Sequence, residues 1–299
     1  MTRELAGMYA ALMTGLSDAG EFDPQRQRNI NDYVLRQGLA GLYVGGSSGE
    51  SGLLTVDELL AQQEVVFAGA AGANVNLIAH VGMPNLRDSV RLARQAQKLG
   101  YHALSALPPH SYPFSDEEVF GYYQALAAAT DLPLIVYEIP LRTGRPLPLA
   151  LLVRLLDLGN VVGIKYTSTD LFKYSLLRKR QPQKLFFYGF DEIYAAAGML
   201  GTEGGIGTTY NLLGRLYVAV DQAVRAGDLT RAKALQMVSQ DFVEALLEIG
   251  VLPGMKAAFR VIGVDCGPTR APLALGVMDA EDRMRAVLAR PAIREWLAR

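Results

Sequence analysis

The chain has 299 residues, 50% of them hydrophobic, with 29 Lys plus Arg against 30 Asp plus Glu for a formal charge of −1, and a single cysteine, Cys266. No basic tract is present to follow a phosphate backbone, which argues against a nucleic-acid partner, and one cysteine forms no intramolecular disulfide. Arg3, Glu4 and Asp18 interrupt the apolar start of the chain and no apolar run reaches membrane length, so a cytoplasmic globular protein of one or two domains is expected.

Short apolar, β-branched or aromatic runs alternate with longer amphipathic stretches. Strands are expected near 7–13, 41–46, 75–81, 102–106, 133–138, 161–167, 184–188 and 203–207. Between them lie helical patterns at Pro24 to Gln37, Thr55 to Ala70, Leu86 to Leu99, Ser115 to Ala129, Pro148 to Leu158, Leu171 to Arg180 and Asp191 to Leu200. Thr55 with Glu58, and Ser115 with Glu118, have the spacing of a capping box, in which each side chain satisfies a backbone N–H of the first turn. From about residue 211 only helical patterns remain, including Arg215 to Ala226, Leu229 to Ile249 and Pro253 to Val261.

Eight successive βα units with continuously apolar strands predict a closed parallel barrel, the TIM (β/α)8 fold. The competitor is an open doubly wound sheet, but no G-x-G-x-x-G opens the first helix and no P-loop occurs. Residues 1–210 are therefore expected to form the barrel, and 211–299 its last helix and a C-terminal helical appendage, with no low-complexity linker between them. In such a barrel the active site lies at the C-terminal ends of the strands.

Lys165 stands inside Val-Val-Gly-Ile-Lys-Tyr-Thr (161–167), a run that otherwise reads as a buried strand. An unpaired buried ammonium is costly, so the amine tends to lose its proton and become a nucleophile towards ketones and aldehydes. Alternation puts Gly163, Lys165 and Thr167 on one face and Val162, Ile164 and Tyr166 on the other. If the second set faces the helices, Lys165 points into the barrel; the alternative is a lysine that snorkels to the mouth or pairs with a carboxylate. Tyr137 ends the preceding strand, where a phenol can shuttle a proton or simply fill the core. Gly45-Gly46-Ser47-Ser48-Gly49-Glu50 follows the second strand, and the hydroxyls and N–H groups of Ser47 and Ser48 suit a small anion such as a carboxylate.

Gly-Leu-Tyr-Val-Gly-Gly-Ser-Ser-Gly-Glu (41–50), Val-Tyr-Glu-Ile-Pro (136–140), Gly-Ile-Lys-Tyr-Thr (163–167) and Asp-Cys-Gly-Pro-Thr-Arg-Ala-Pro-Leu (265–273) together resemble the N-acetylneuraminate lyase and dihydrodipicolinate synthase superfamily. Its members are pyruvate-handling class I aldolases on a TIM barrel, usually homotetramers. The resemblance implies Lys165 as the Schiff-base lysine, Tyr137 as proton shuttle, and Ser47 and Ser48 as holders of the pyruvate carboxylate. The implied chemistry uses no metal or cofactor, and His80, His102 and His110 are widely separated and form no ligand motif.

Tyr-Gly-Phe-Asp-Glu (188–192) followed by Gly-Gly-Ile-Gly-Thr-Thr-Tyr-Asn (204–211) resembles the sialic acid lyase branch. That resemblance assigns Thr167 to the substrate site and implies that Gly189, Asp191, Glu192 and Thr208 bind the hydroxylated tail of a sugar acid. Asp191 and Glu192 also read simply as carboxylates at a helix N-terminus. Arg142, in Pro-Leu-Arg-Thr-Gly, falls where the synthase branch binds the carboxylate of its aldehyde, while His110 and Ser111 replace that branch's tyrosine pair. Glu138 replaces a common asparagine, and a salt bridge to Arg142 or Arg145 is one expectation for it. The favoured expectation is a lyase for N-acetylneuraminate or a related 2-keto-3-deoxy sugar acid. The alternatives are dihydrodipicolinate synthase or another 2-keto-3-deoxy acid aldolase that uses Arg142 for an acidic aldehyde, and a keto-acid-binding barrel without catalysis.

Overall fold

The computed structural model describes residues 5–273 and 278–298, so Arg3 and Glu4 lie outside the described residues. Strands β1 (Gly7–Ala11), β2 (Gly41–Val44), β3 (Asn76–His80), β4 (Ala103–Ala106), β5 (Leu134–Glu138), β6 (Val161–Tyr166), β7 (Leu185–Tyr188) and β8 (Gly204–Gly207) close into a parallel barrel in sequence order. Helices α1 (Pro24–Leu35), α2 (Val56–Gly69), α3 (Leu86–Leu99) and α4 (Asp116–Ala127) follow the first four strands, and a short turn, α5 (Pro140–Thr143), precedes α6 (Leu149–Leu156). Then come α7 (Leu171–Arg180), α8 (Tyr194–Met199), α9 (Tyr210–Arg225), α10 (Leu229–Ile249), α11 (Val251–Val261), α12 (Ala280–Leu288) and α13 (Pro291–Arg294). No helix among the described residues is long and apolar enough to cross a membrane.

Both expected capping boxes form. Thr55 and Glu58 bond each other's backbone N–H at the start of α2, and Ser115 and Glu118 do so at α4. The expected strands are all present, each one or two residues shorter than the run that announced it; β1 ends at Ala11 and β2 at Val44.

Two apolar layers result. Inside the barrel lie Tyr9, Tyr43, Ile78, Ile135, Tyr137, Phe187 and Ile206. Between barrel and helices lies a larger core that includes Leu42, Val44, Val136, Ile164 and Tyr166. Alternation along a strand explains the division, since Tyr43 and Tyr137 are flanked on both sides by residues of the outer layer. One residue departs from it. Leu134 pairs with Val161 and Ile135 with Gly163, so Val162 is the extra residue of a bulge and packs against the inner cluster. The expectation that Val162 faces the helices with Ile164 and Tyr166 is therefore corrected.

The C-terminal helices complete the barrel. Asn211 in α9 donates to the carbonyls of Ala11 and Thr208 at 2.8 Å each and accepts from Met13 N at 3.2 Å, which fixes the end of β1. Lys256 in α11, buried, donates to the carbonyls of Thr14 and Cys266, drawing the chain beyond α11 onto the loop after β1.

Candidate active site

Lys165 lies on β6, directly paired with Tyr137 of β5 on one side and Phe187 of β7 on the other. Its face of the strand points into the barrel, and the residue is only 3% exposed. The amine sits 4.1 Å from the ring centre of Tyr137 and 4.2 Å from that of Tyr43, over aromatic faces that attract a cation but supply no counter-charge. Burial pulls its pKa from 10.5 to about 7, with the Asp191 carboxylate opposing the shift. Near neutral pH a substantial fraction is therefore the free amine.

Tyr137, the penultimate residue of β5, stands beside it, and burial pushes its phenol up to about 12, against a partial offset from the neighbouring Ser47 hydroxyl. Ser47 belongs to a single 3-10 turn, Ser47–Gly49, that follows β2. A helical turn leaves its first N–H groups without partners in the turn, so those of Ser47 and Ser48 are available to an anion. Ser48 Oγ lies 2.6 Å from Thr208 Oγ1, which joins this turn to the residue after β8. The Thr167 hydroxyl is buried beside the Tyr137 phenol, whose pKa it helps to lower, and has no other partner among the described residues.

Gly189 follows β7, and any side chain there would overlap Thr167 Oγ1 and come 3.4 Å from Lys165 Cε. A side chain there is excluded by the Thr167 hydroxyl, while the contact with the lysine is an ordinary one. Gly207 plays the same part for Asp191, since a side chain on it would run into Asp191 Oδ1. Asp191 and Glu192 do stand at a helix N-terminus, in a 3-10 turn ahead of α8, but the Asp191 side chain is used elsewhere. Its Oδ2 accepts from the Thr209 N–H at 2.8 Å and from Thr209 Oγ1 at 2.6 Å, while its buried Oδ1 has no partner. Burial raises the Asp191 carboxyl to about 7, outweighing those bonds and the pull of Lys165. Gln236 and Ser239 of α10 donate to the Asp191 carbonyl, and Gln240 donates to that of half-buried Glu192. The turn carrying both acids is thus gripped by the C-terminal helices.

The expected residues converge, with two outliers. Arg142 lies on α5 at the rim, exposed, forming part of the wall of a cleft of about 610 Å3 together with Ser47, Asn85, His110 and Ser111. Glu192 is on the flank. The expected partner of Glu138 is corrected: its buried carboxylate accepts from Leu147 N at 3.0 Å and pairs with Lys173 of α7 at 3.4 Å, whereas Arg145 pairs with Asp116. A fully buried acid recruits the cation that reaches it, and Lys173, from the helix after β6, does.

Two contributors were not picked out from the sequence. Tyr43 supplies the second aromatic face under Lys165, and alternation within Gly-Leu-Tyr-Val could have pointed it inward. His80 contacts the Gly45 carbonyl through Nδ1 at 2.9 Å and accepts from Leu107 N at Nε2, and burial holds it neutral with a pKa near 3. Nothing in its sequence context signals that it supports the Gly45–Glu50 loop.

A buried amine, a phenol, a turn with unpaired N–H groups and a polar wall thus meet at the C-terminal mouth of a (β/α)8 barrel. Residues 4–290 match the model of the dihydrodipicolinate synthetase family. The chain belongs to that family. It is 42% identical over 270 residues to the N-acetylneuraminate lyase of Rhizobium meliloti, covering 90% of this chain and 89% of that one. It is 37% identical over 276 residues to the N-acetylneuraminate lyase of an Enterobacter species, covering 92% and 93%. Among solved structures, CdNal of Clostridium difficile in complex with mannosamine superposes with a TM-score of 0.93 at 31% identity, covering 98% of this chain and 99% of that one. The sialic acid aldolase of Ruminococcus gnavus gives 0.92 at 27% identity, covering 98% and 100%. The two relatives in sequence are named N-acetylneuraminate lyases, and the Ruminococcus gnavus structure a sialic acid aldolase.

Proposed function

We propose that this family member is a class I aldolase that reversibly cleaves N-acetylneuraminate, or a related 2-keto-3-deoxy sugar acid, to pyruvate and an aldehyde. The observation that carries the reading is the Lys165 amine, buried, partly deprotonated near neutral pH and set over the ring of Tyr137. It attacks the C2 keto carbon; the carbonyl oxygen leaves as water, and a protonated imine results. The Tyr137 hydroxyl takes the proton of the C4 hydroxyl while handing its own to Ser47, whose hydroxyl passes its proton to the keto-acid carboxylate; this relay needs no free phenolate, and the proton returns along the same path to C3. The C3–C4 bond breaks, its electron pair flows into the imine to give an enamine, and the aldehyde departs. Protonation at C3 and hydrolysis then release pyruvate and the free amine. Ser47 and Ser48 hold the keto-acid carboxylate, and Thr167, Gly189, Asp191, Glu192 and Thr208 meet the hydroxylated tail. By family likeness the working form is a cytoplasmic homotetramer.

The direct test of substrate is pyruvate release from N-acetylneuraminate and from 2-keto-3-deoxygluconate. Release from neither, with the protein folded, would sink the lyase reading.

A second reading rests on Arg142, which is exposed at the cleft rim, free of any ion pair among the described residues and near enough to lower the Tyr137 pKa. Its planar fork suits a carboxylate on the incoming aldehyde. If that is its use, Arg142→Leu raises the KM of an acidic aldehyde in condensation with pyruvate about 10- to 100-fold, the value of a charge-assisted hydrogen bond, and leaves neutral sugars unaffected. Condensation confined to acidic aldehydes and lost in Arg142→Leu would replace the sugar-acid assignment by this one.

Reductive trapping of pyruvate with cyanoborohydride should report the Lys165 pKa. Deprotonation makes the amine competent, so trapping at limiting pyruvate rises about tenfold from pH 6 to pH 8 and levels off above, as expected for a group titrating near 7. A lysine left at 10.5 would instead gain about tenfold per unit through pH 9 with no plateau, which would contradict the buried-amine account.

A further inference from the structure

The Asp-Cys-Gly-Pro-Thr-Arg-Ala-Pro-Leu segment (265–273) belongs to the sequence signature, yet none of its side chains reaches Lys165 in any contact described above. Its structural role is visible at Arg270. The Arg270 N–H donates to Glu50 Oε2 at 2.7 Å. The guanidinium donates from Nε to the Gly20 carbonyl at 2.7 Å, and from Nη1 to the Leu53 carbonyl at 2.7 Å and to Glu58 Oε2 at 2.8 Å. A further bond runs from Nη2 to Glu58 Oε1, so four of the five side-chain N–H donors are used. Glu58 is itself fixed, capping α2 at Thr55 and accepting from Phe22 N.

Glu50 is where this latch meets the site. It closes the Ser47–Gly49 turn, its N–H donating to the Ser47 carbonyl at 3.1 Å and its carbonyl accepting from Leu53 N at 2.8 Å. Its φ of 62° puts it in the left-handed region, the only described non-glycine residue there. A glutamate adopts that conformation only when its surroundings enforce it. Glu50 is 3% exposed, so the Arg270 N–H replaces water at Oε2, while Oε1 is buried without a hydrogen-bond partner.

We infer that Arg270 is a positioning residue for the keto-acid carboxylate: with Glu58 as its anchor it holds Glu50 in the left-handed conformation, and Glu50 in turn sets the Ser47–Ser48 turn that receives the carboxylate. The inference rests on the aldolase reading, because it assigns that turn to pyruvate. It extends it by giving the C-terminal segment, more than 200 residues away in sequence, control of keto-acid affinity.

Pyruvate concentration for half-maximal trapping on Lys165 is the measurement, made with borohydride on wild type, Glu50→Ala, Glu50→Gln, Arg270→Ala and Arg270→Lys, with folding checked by circular dichroism. Glu50→Ala and Arg270→Ala raise the half-trapping concentration about 10- to 100-fold, the scale of misplacing a binding group from a distance, while trapping at saturating pyruvate stays near wild type. Glu50→Gln keeps an acceptor for the Arg270 N–H and restores most of the affinity. A merely structural role would lower the melting temperature and leave the half-trapping concentration of the folded protein unchanged, and that result would overturn the inference. Should the alanine variants not fold, Arg270→Lys decides, because lysine keeps the charge but loses the fork; a several-fold increase supports positioning and none refutes it. Absence of trapping in wild type sinks the aldolase reading and this inference with it, whereas normal trapping with unchanged half-saturation in the variants sinks this inference alone.

Discussion

Lys165→Met is expected to abolish both the borohydride-trapped pyruvate adduct and turnover of sugar acid, without loss of fold. Methionine is close to lysine in length and apolar, so it fills the space between the Tyr43 and Tyr137 rings without an amine to desolvate. The stability of this variant carries information of its own. In the folded chain the lysine titrates near 7 rather than at 10.5, so between those values the unfolded chain holds the extra proton and wild-type stability rises with pH. The burial penalty is full below about 7 and fades towards 10.5, so the variant should melt at or above the wild-type temperature at pH 7, its advantage shrinking by pH 9. A variant that loses activity by unfolding would show the reverse. A persistent adduct, mapped by peptide mass to another lysine, would defeat the assignment of Lys165. An unmodified wild-type protein would favour a keto-acid-binding barrel instead.

Tyr137→Phe should carry the second largest effect. The ring under the Lys165 amine is kept and only the hydroxyl is lost, so any change isolates proton transfer from packing. Positioned proton transfer contributes about 10²- to 10⁴-fold, and kcat for sugar-acid cleavage should fall by that factor. The yield of trapped pyruvate adduct should remain, because imine formation on the lysine does not require the C4 proton to move. A fall of less than tenfold in kcat would remove Tyr137 from the relay and leave it as a wall of the lysine pocket. If adduct and turnover vanish together, Tyr137 is needed for imine formation itself.

The two residues illustrate how much of the site could be read in one dimension. A lysine amid Val-Val-Gly-Ile and a tyrosine at the end of Leu-Ile-Val are local anomalies in apolar strands, and the period of two says which face they share. Glu138 shows the limit of that reading. Its neighbours Arg142 and Arg145 were the nearest cations along the chain, yet its partner is Lys173, 35 positions away and brought close by α7. Val162 shows another limit, since alternation holds only until a bulge inserts one residue, and the bulge is a property of the β5–β6 pairing.

Composition, the βα rhythm and the strand-end anomalies were sufficient for the barrel and for Lys165 facing its interior, because each depends on hydrophobic period, whereas the roles expected of Tyr137, Ser47 and Ser48 came from the family resemblance. The tertiary structure alone decided what surrounds them: Tyr43 under the amine, His80 beneath the Gly45 loop, Asp191 bonded to Thr209 and gripped by α10, and Arg270 latched to Glu50. Those contacts join residues from about 20 to more than 200 positions apart, and they form because barrel closure brings β8 and the C-terminal helices back against the loops of β1 and β2. A pattern of local periods contains no term for that closure. The amine's depressed pKa belongs to the same class, since burial, its largest cause, is a property of the closed barrel rather than of the lysine's neighbours in sequence.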